Sequence, residues 1–128
     1  MIKILYIVLL ASCSLSMFAR KSKTAKIVQE ADDMYLQQRY SDALSGYSTA
    51  LKKYPKRKKL RLKFAKTLYR LERYADAYKV FKGLDPKDMN SEDNFESGMS
   101  AFNEKNYKMA SVNFSYVQPN FQLFDIAC

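Results

Sequence analysis

The chain has no histidine and no tryptophan, and only three glycines, three prolines and two cysteines in 128 residues. Each shortage removes a class of function. Without histidine, the commonest general base and the commonest metal ligand are both missing. Three scattered glycines build no phosphate-cradling loop. Cys13 and Cys128 stand alone near the two ends, so neither a disulfide framework nor zinc-ligand spacing is present. The paired acids Asp32–Asp33 and Asp85 with Asp88 have no nucleophile or base beside them and read as solvated surface. The expectation is a protein that is not an enzyme and takes no cofactor and no metal. Period-two alternation is also missing, so no sheet is expected.

What remains is apolar and basic. Hydrophobic residues make up 48% of the chain, enough for the core of one small domain, and the formal charge is +9. Three tyrosines recur at Tyr40, Tyr74 and Tyr107, at intervals of 34 and 33 residues. Each is followed by alanine three residues on (Ala43, Ala77, Ala110) and then by an aromatic (Tyr47, Phe81, Phe114). A period of this length marks stacked helix pairs. Ala43, Tyr47, Ala50, Leu51 and Tyr54 fall on one helical face, and Leu60, Phe64, Leu68 and Leu71 draw a similar stripe. Pro55, Pro86 and Pro119 mark places where helices stop. Ser91, followed by Glu92 and Asp93, reads as an N-cap with acids in the first turn.

These residues resemble the tetratricopeptide repeat. Ala31, Tyr35, Tyr40, Ala43, Tyr47, Ala50 and Pro55 match the first repeat, about 24–57. Ala65, Leu68, Tyr69, Tyr74, Ala77 and Phe81 match the second, about 58–90, with Leu84 where alanine is usual. Gly98, Phe102, Tyr107, Ala110 and Phe114 match the third, about 91–119, with Val117 in the alanine slot. Residues 120–128 look like the start of a fourth repeat, through Phe121, Phe124 and Ala127, or serve as a short cap. The expected fold is all α: a helix-turn-helix solenoid of about three repeats over 20–128.

The resemblance implies a binding groove lined by the first helix of each repeat. Its candidate residues are Asp32 and Tyr35, then Lys59, Lys63, Lys66, Tyr69 and Arg70, then Phe95, Met99 and Phe102. Tyr35, Tyr69 and Phe102 share one motif position, and helix packing is the other role open to them. Aromatics, a methionine and basic groups together suit an extended peptide or a partner helix with an acidic or amphipathic character. The carboxylate clamp of chaperone-binding members is excluded, because Val28, Asp32, Lys63, Glu92 and Glu96 stand at its positions. Lys52 to Lys66 holds nine Lys or Arg and no acid. Such a stripe grips carboxylates, phosphates or an anionic lipid surface, or is a solvated face. Nucleic acid is not expected, since no motif accompanies the basic residues.

The front of the chain has a separate character. Met1-Ile2-Lys3 is a short basic start, Ile4–Ala11 is an apolar run, and Ser12–Ala19 is small and mildly apolar. Residues 1–19 read as a secretory signal peptide, too short for a comfortable membrane span. Leu10-Ala11-Ser12-Cys13 resembles the lipobox of bacterial lipoproteins, which implies lipidation of Cys13 and membrane association. Cleavage after Ala19 is the other reading. Both export the protein, to the periplasm or the periplasmic face of the outer membrane of a Gram-negative bacterium. The whole arrangement also resembles the front part of Bacteroidota outer-membrane tetratricopeptide proteins, some with an OmpA-like peptidoglycan-binding domain further on. That resemblance implies a protein-binding scaffold in outer-membrane assembly or secretion. The alternative is the front region of a larger envelope protein with an enzymatic or peptidoglycan-binding domain beyond residue 128.

Overall fold

The computed structural model describes residues 22–119, and the expectations for the leader, for Cys13 and for 120–128 lie outside them. The described residues form six α-helices and no strand. The helices are α1 (Lys23–Leu36), α2 (Tyr40–Lys53), α3 (Lys58–Arg70), α4 (Tyr74–Phe81), α5 (Ser91–Asn103) and α6 (Tyr107–Ser115), with a 3-10 turn at Pro86–Asp88. Each helix packs on the next in sequence, and α3 also touches α5. The three pairs stack so that each repeat meets only its neighbours.

One turn closes all three pairs. Arg39 N–H donates to the Met34 carbonyl at 2.8 Å, Arg73 N–H to Leu68 at 2.9 Å and Asn106 N–H to Ala101 at 2.8 Å. The residues just before these donors, Gln38, Glu72 and Lys105, sit at φ 61°, 60° and 63°. This is the Schellman end of a helix, with its left-handed residue. Glycine is the usual occupant of that place, and none of the three positions has it.

Small residues set the spacing inside each pair. A Cβ on Gly46 would come within 2.8 Å of the Ala31 Cβ, so the approach of α1 and α2 at this point leaves no room for a side chain. Ala31, Ala43, Tyr47, Ala50 and Leu60 form one core cluster, with Val28, Leu51, Tyr54 and Phe64 against it. Leu60 belongs to α3, so this cluster also joins the first repeat to the second. Ala65, Leu68, Ala77, Phe81 and Met89 form the next, with Leu44 and Met109 reaching in from either side. Each fully buried large side chain, such as Phe81 or Leu68, contributes about 1.5–3 kcal/mol.

Two local expectations need correction. The N-cap of α5 is Asn90, not Ser91. Its side chain accepts from the Asp93 N–H while Asp93 accepts from the Asn90 N–H, a reciprocal capping box. Pro86 does not end α4, which stops at Phe81; it opens the 3-10 turn instead. Leu84 therefore lies beyond the helix and packs on the second cluster, which explains why it need not be alanine.

The third pair is built differently. Asn94, Asn113, Ser97, Ser100 and Glu96 are buried there. The Asn94 amide donates to the carbonyls of Pro86 (3.0 Å), Met89 (3.1 Å) and Asn90 (3.1 Å), and its oxygen accepts from the Asn113 amide at 3.0 Å. This pair ties the loop before α5 to both helices. Gly98 gives way to the Phe114 ring, whose edge would lie 2.5 Å from an added Cβ.

Candidate protein-binding groove

The helices α1, α3 and α5 run side by side, and their facing surfaces carry opposite charges. On α3 the charged positions Lys63, Lys66 and Arg70 share one face because they recur at helical spacing. Between α1 and α3, Lys63 Nζ reaches both oxygens of Asp32, at 2.9 and 2.8 Å. Asp32 also accepts a short hydrogen bond from the Tyr47 hydroxyl. Arg70 Nε donates to the Tyr35 hydroxyl at 3.3 Å. Between α3 and α5, Lys66 pairs with Asp93 at 2.7 Å, and Arg70 contacts Glu92 at 2.7 Å and Glu96 at 2.8 Å.

Burial makes this network unlike a surface set. Asp93 is 7% exposed and Glu96 only 1% at the side chain. Burial pushes the Glu96 carboxyl up to about 7, against the pull of Arg70 and Lys66. Neither of its oxygens accepts a hydrogen bond, although Oε1 lies 2.8 Å from the Arg70 guanidinium. Burial alone would lower Lys66, but the bond to Asp93 and the charges of Asp93, Glu96 and Glu92 hold it above the usual lysine value. Burial, and then the bond to Asp32, raises the Tyr47 hydroxyl well above the ordinary tyrosine range. The lysine and arginine at the centre of the face are thus fixed as cations and fully engaged.

A cleft of about 290 Å³ opens between α1 and α3, lined by Asp32, Tyr35, Leu36, Tyr47, Lys63 and Lys66. Leu36 at its rim is 80% exposed. Further along, on α5, Met99 is 37% and Phe102 55% exposed. The face is therefore a neutralised polar floor between two apolar ledges.

The structure brings Asp32, Tyr35, Lys63, Lys66 and Arg70 together. Met99 and Phe102 lie further along the face, on α5, and the remaining candidates have other surroundings. Tyr69 is half-buried and meets Tyr74 edge-on at 5.4 Å, as Tyr35 meets Tyr40 at 5.2 Å and Phe102 meets Tyr107 at 5.4 Å. Phe95 leans on Phe114, with ring centres 6.1 Å apart. Lys59 is exposed at the start of α3 and lines a second cleft of about 380 Å³ with Leu84, Asp85 and Met89. Asp93 and Glu96 are absent from the candidate set. Their charge was a signal: Glu92 and Glu96 occupy the motif positions of Lys59 and Lys63 one repeat on, so acids on α5 can meet cations on α3.

A family model described as tetratricopeptide repeat matches residues 34–98, half of the chain. The chain belongs to the tetratricopeptide repeat (TPR) family. No curated protein matches it. A TPR domain is an interaction module for protein partners, as a rule without catalysis. Among the described residues no group of three or more His, Cys, Asp or Glu is placed to hold a metal, and no helix is long and apolar enough to cross a membrane.

Proposed function

We propose that this TPR protein is an exported adaptor of the Gram-negative cell envelope, acting without catalysis in outer-membrane assembly or secretion. Residues 1–19 direct export, and 20–128 form the binding domain. The groove holds an amphipathic segment of a protein partner. The observation that carries this reading is the pair of exposed apolar ledges, Leu36 on one side and Met99 with Phe102 on the other, flanking a network in which each central cation already has an acid beside it. Apolar side chains of the partner supply most of the affinity. An acidic group on the partner would have to compete with Asp32 for Lys63 or with Glu92 for Arg70, so it sets orientation more than strength.

Crosslinking in cells identifies the partner, and titration with its purified segment tests the site. Leu36→Ala with Phe102→Ala should weaken binding at least tenfold at every salt concentration. Unchanged affinity would remove the groove as the site. Export is tested separately by fractionating cells that express the complete reading frame: recovery of an uncleaved, soluble cytoplasmic form would refute it. Palmitate labelling that is lost in Cys13→Ser selects lipidation over cleavage after Ala19.

A further inference from the structure

The basic run Lys52–Lys66 divides in the fold. Of its later members, Lys63 and Lys66 line the groove and are paired with Asp32 and Asp93, while Arg61 lies beside Gly83. Its earlier members, Lys52, Lys53, Lys56, Arg57, Lys58 and Lys59, surround the α2–α3 loop and are all exposed. Among the described residues, the sole carboxylate within 4.0 Å of any of these six is Asp88, at 3.7 Å from Lys58. The other contacts are with one ring: Arg57 lies 4.1 Å and Lys53 5.6 Å from the centre of Tyr54.

This charge is held against the local interest of the helix. Arg57 occupies the N-cap of α3 and gives no side-chain bond; Lys58 and Lys59 follow, and the first turn has no acid. Three cations thus sit at the positive end of the helix dipole, where acids and capping side chains are favoured. The corresponding start of α5 has Asn90, Glu92 and Asp93 with a complete capping box. The contrast extends to the far end of the solenoid, where the exposed cations Arg39 and Arg73 each pair with an aspartate three residues on. Among the described residues other exposed cations also stand outside any ion pair, Lys105 and Lys108 at that far end among them, but the α2–α3 edge gathers them most densely.

We propose that the α2–α3 edge is a docking surface for an anionic phospholipid bilayer. Six cations on one loop and its flanking turns match the charge of such a surface, and each is worth about fivefold in partition near it. The α1–α2 hairpin is antiparallel, so Ser22 lies at this same end, nine residues after Cys13 in sequence. On the lipidation branch of the proposed function, a lipid and a basic patch each hold a bilayer weakly and together hold it stably. The edge is separate from the groove, so a partner and a membrane bind at once. This inference does not rest on the groove reading.

The test uses protein purified from cells expressing the complete reading frame, with vesicles of phosphatidylcholine alone or with 30% phosphatidylglycerol. Binding should be at least tenfold tighter to the anionic vesicles, and that difference should vanish in ~0.5 M salt. The variant Lys56→Glu/Arg57→Asp/Lys59→Glu should lose the difference while its melting temperature rises, because it supplies α3 with a cap and an acidic first turn. That opposite movement separates a docking role from a structural one. Equal binding to both vesicles overturns the proposal, as does an unchanged difference in the variant. Displacement by ~10 mM inorganic phosphate would mean an ion site instead of a surface. Tighter binding to polyglutamate than to vesicles of equal charge would mean an acidic protein partner. Either result would also overturn it.

Discussion

In the first repeat, Ala31, Ala43, Tyr47 and Ala50 form an apolar cluster that meets charge at the Tyr47 hydroxyl, which donates to Asp32. In the third, the same backbone encloses Asn94, Asn113, Ser97, Ser100 and Glu96. Both repeats keep the small residue, the edge-on aromatic pair and the left-handed turn. The positions between those markers are free to be apolar or polar, provided the polar groups find partners. The junctions differ accordingly. Leu60 and Phe64 of α3 join the apolar cluster of the first repeat, whereas α3 meets α5 through Lys66–Asp93 and Arg70–Glu96. The first junction adds one half-exposed charge pair, Lys63–Asp32, to its apolar contact, whereas the acids of the second are buried, which makes it the more sensitive to pH.

The largest effect is expected where the apolar repeat leaves no room. Ala43 is 0% exposed. Ala43→Arg would bury an unpaired guanidinium, a cost of several kcal/mol against the ~5–15 kcal/mol that holds a small domain together. The variant should show no cooperative thermal transition. If it keeps the parent melting temperature, the assigned helix register is wrong.

Asn94 is the matching point in the polar repeat. Asn94→Leu fills the space yet deprives the Pro86 and Met89 carbonyls and the Asn113 amide of a partner. A loss of about 2–4 kcal/mol in denaturant unfolding follows. The double variant Asn94→Leu/Asn113→Leu should cost less than the sum of the two single ones, since it removes both halves of one bond. Simple additivity would mean that the pair is not coupled.

Glu96 makes the third repeat sensitive to pH. Its folded pKa of about 7 lies above the unfolded carboxylate value, so the folded chain holds the proton more tightly. Its contribution is greatest below about pH 4.5 and declines as pH rises to about 7. Above that it is constant, at a cost of the order of 3 kcal/mol. Glu96→Gln should remove this slope and raise stability at pH 8 by about 1–3 kcal/mol. A parent protein with flat stability from pH 5 to 8 would show that Arg70 and Lys66 compensate the buried charge completely.

The sequence made the markers legible because they are repeated: alanines at Ala43 and Ala77, aromatics at Tyr47 and Phe81, tyrosines at the starts of α2, α4 and α6. Periodicity could not reveal the Asn94–Asn113 bond, which joins residues 19 apart and occurs in one repeat. Nor could it divide the basic run. Lys59 and Lys66 look alike in a string of lysines, and what separates them is whether an acid from α5 lies opposite. The acids on α5 were legible as charges opposite α3, but the burial of Asp93 and Glu96 was not: as letters they are surface acids, and burial changes their chemistry. Leu84 looked like a departure from pattern until α4 proved too short to reach it.

The smallest effect should be the same in every repeat. Gln38, Glu72 and Lys105 are exposed, and each holds a left-handed backbone that costs a residue with a Cβ about 1–2 kcal/mol. Glycine removes that strain, while its extra freedom in the unfolded chain returns part of the gain. Each change to glycine should therefore add about 0.5–1 kcal/mol, a few degrees in melting temperature. The turns have almost identical angles and closing bonds of 2.8, 2.9 and 2.8 Å, so geometry predicts equal gains. Melting curves of the three single variants would test this. Equal gains would mean that the repeats unfold as one unit despite their different interiors. A smaller gain for Lys105→Gly than for Gln38→Gly would mean that the polar third repeat opens first, before its turn is strained in the transition being measured. That result would turn a difference in composition into a difference in local stability.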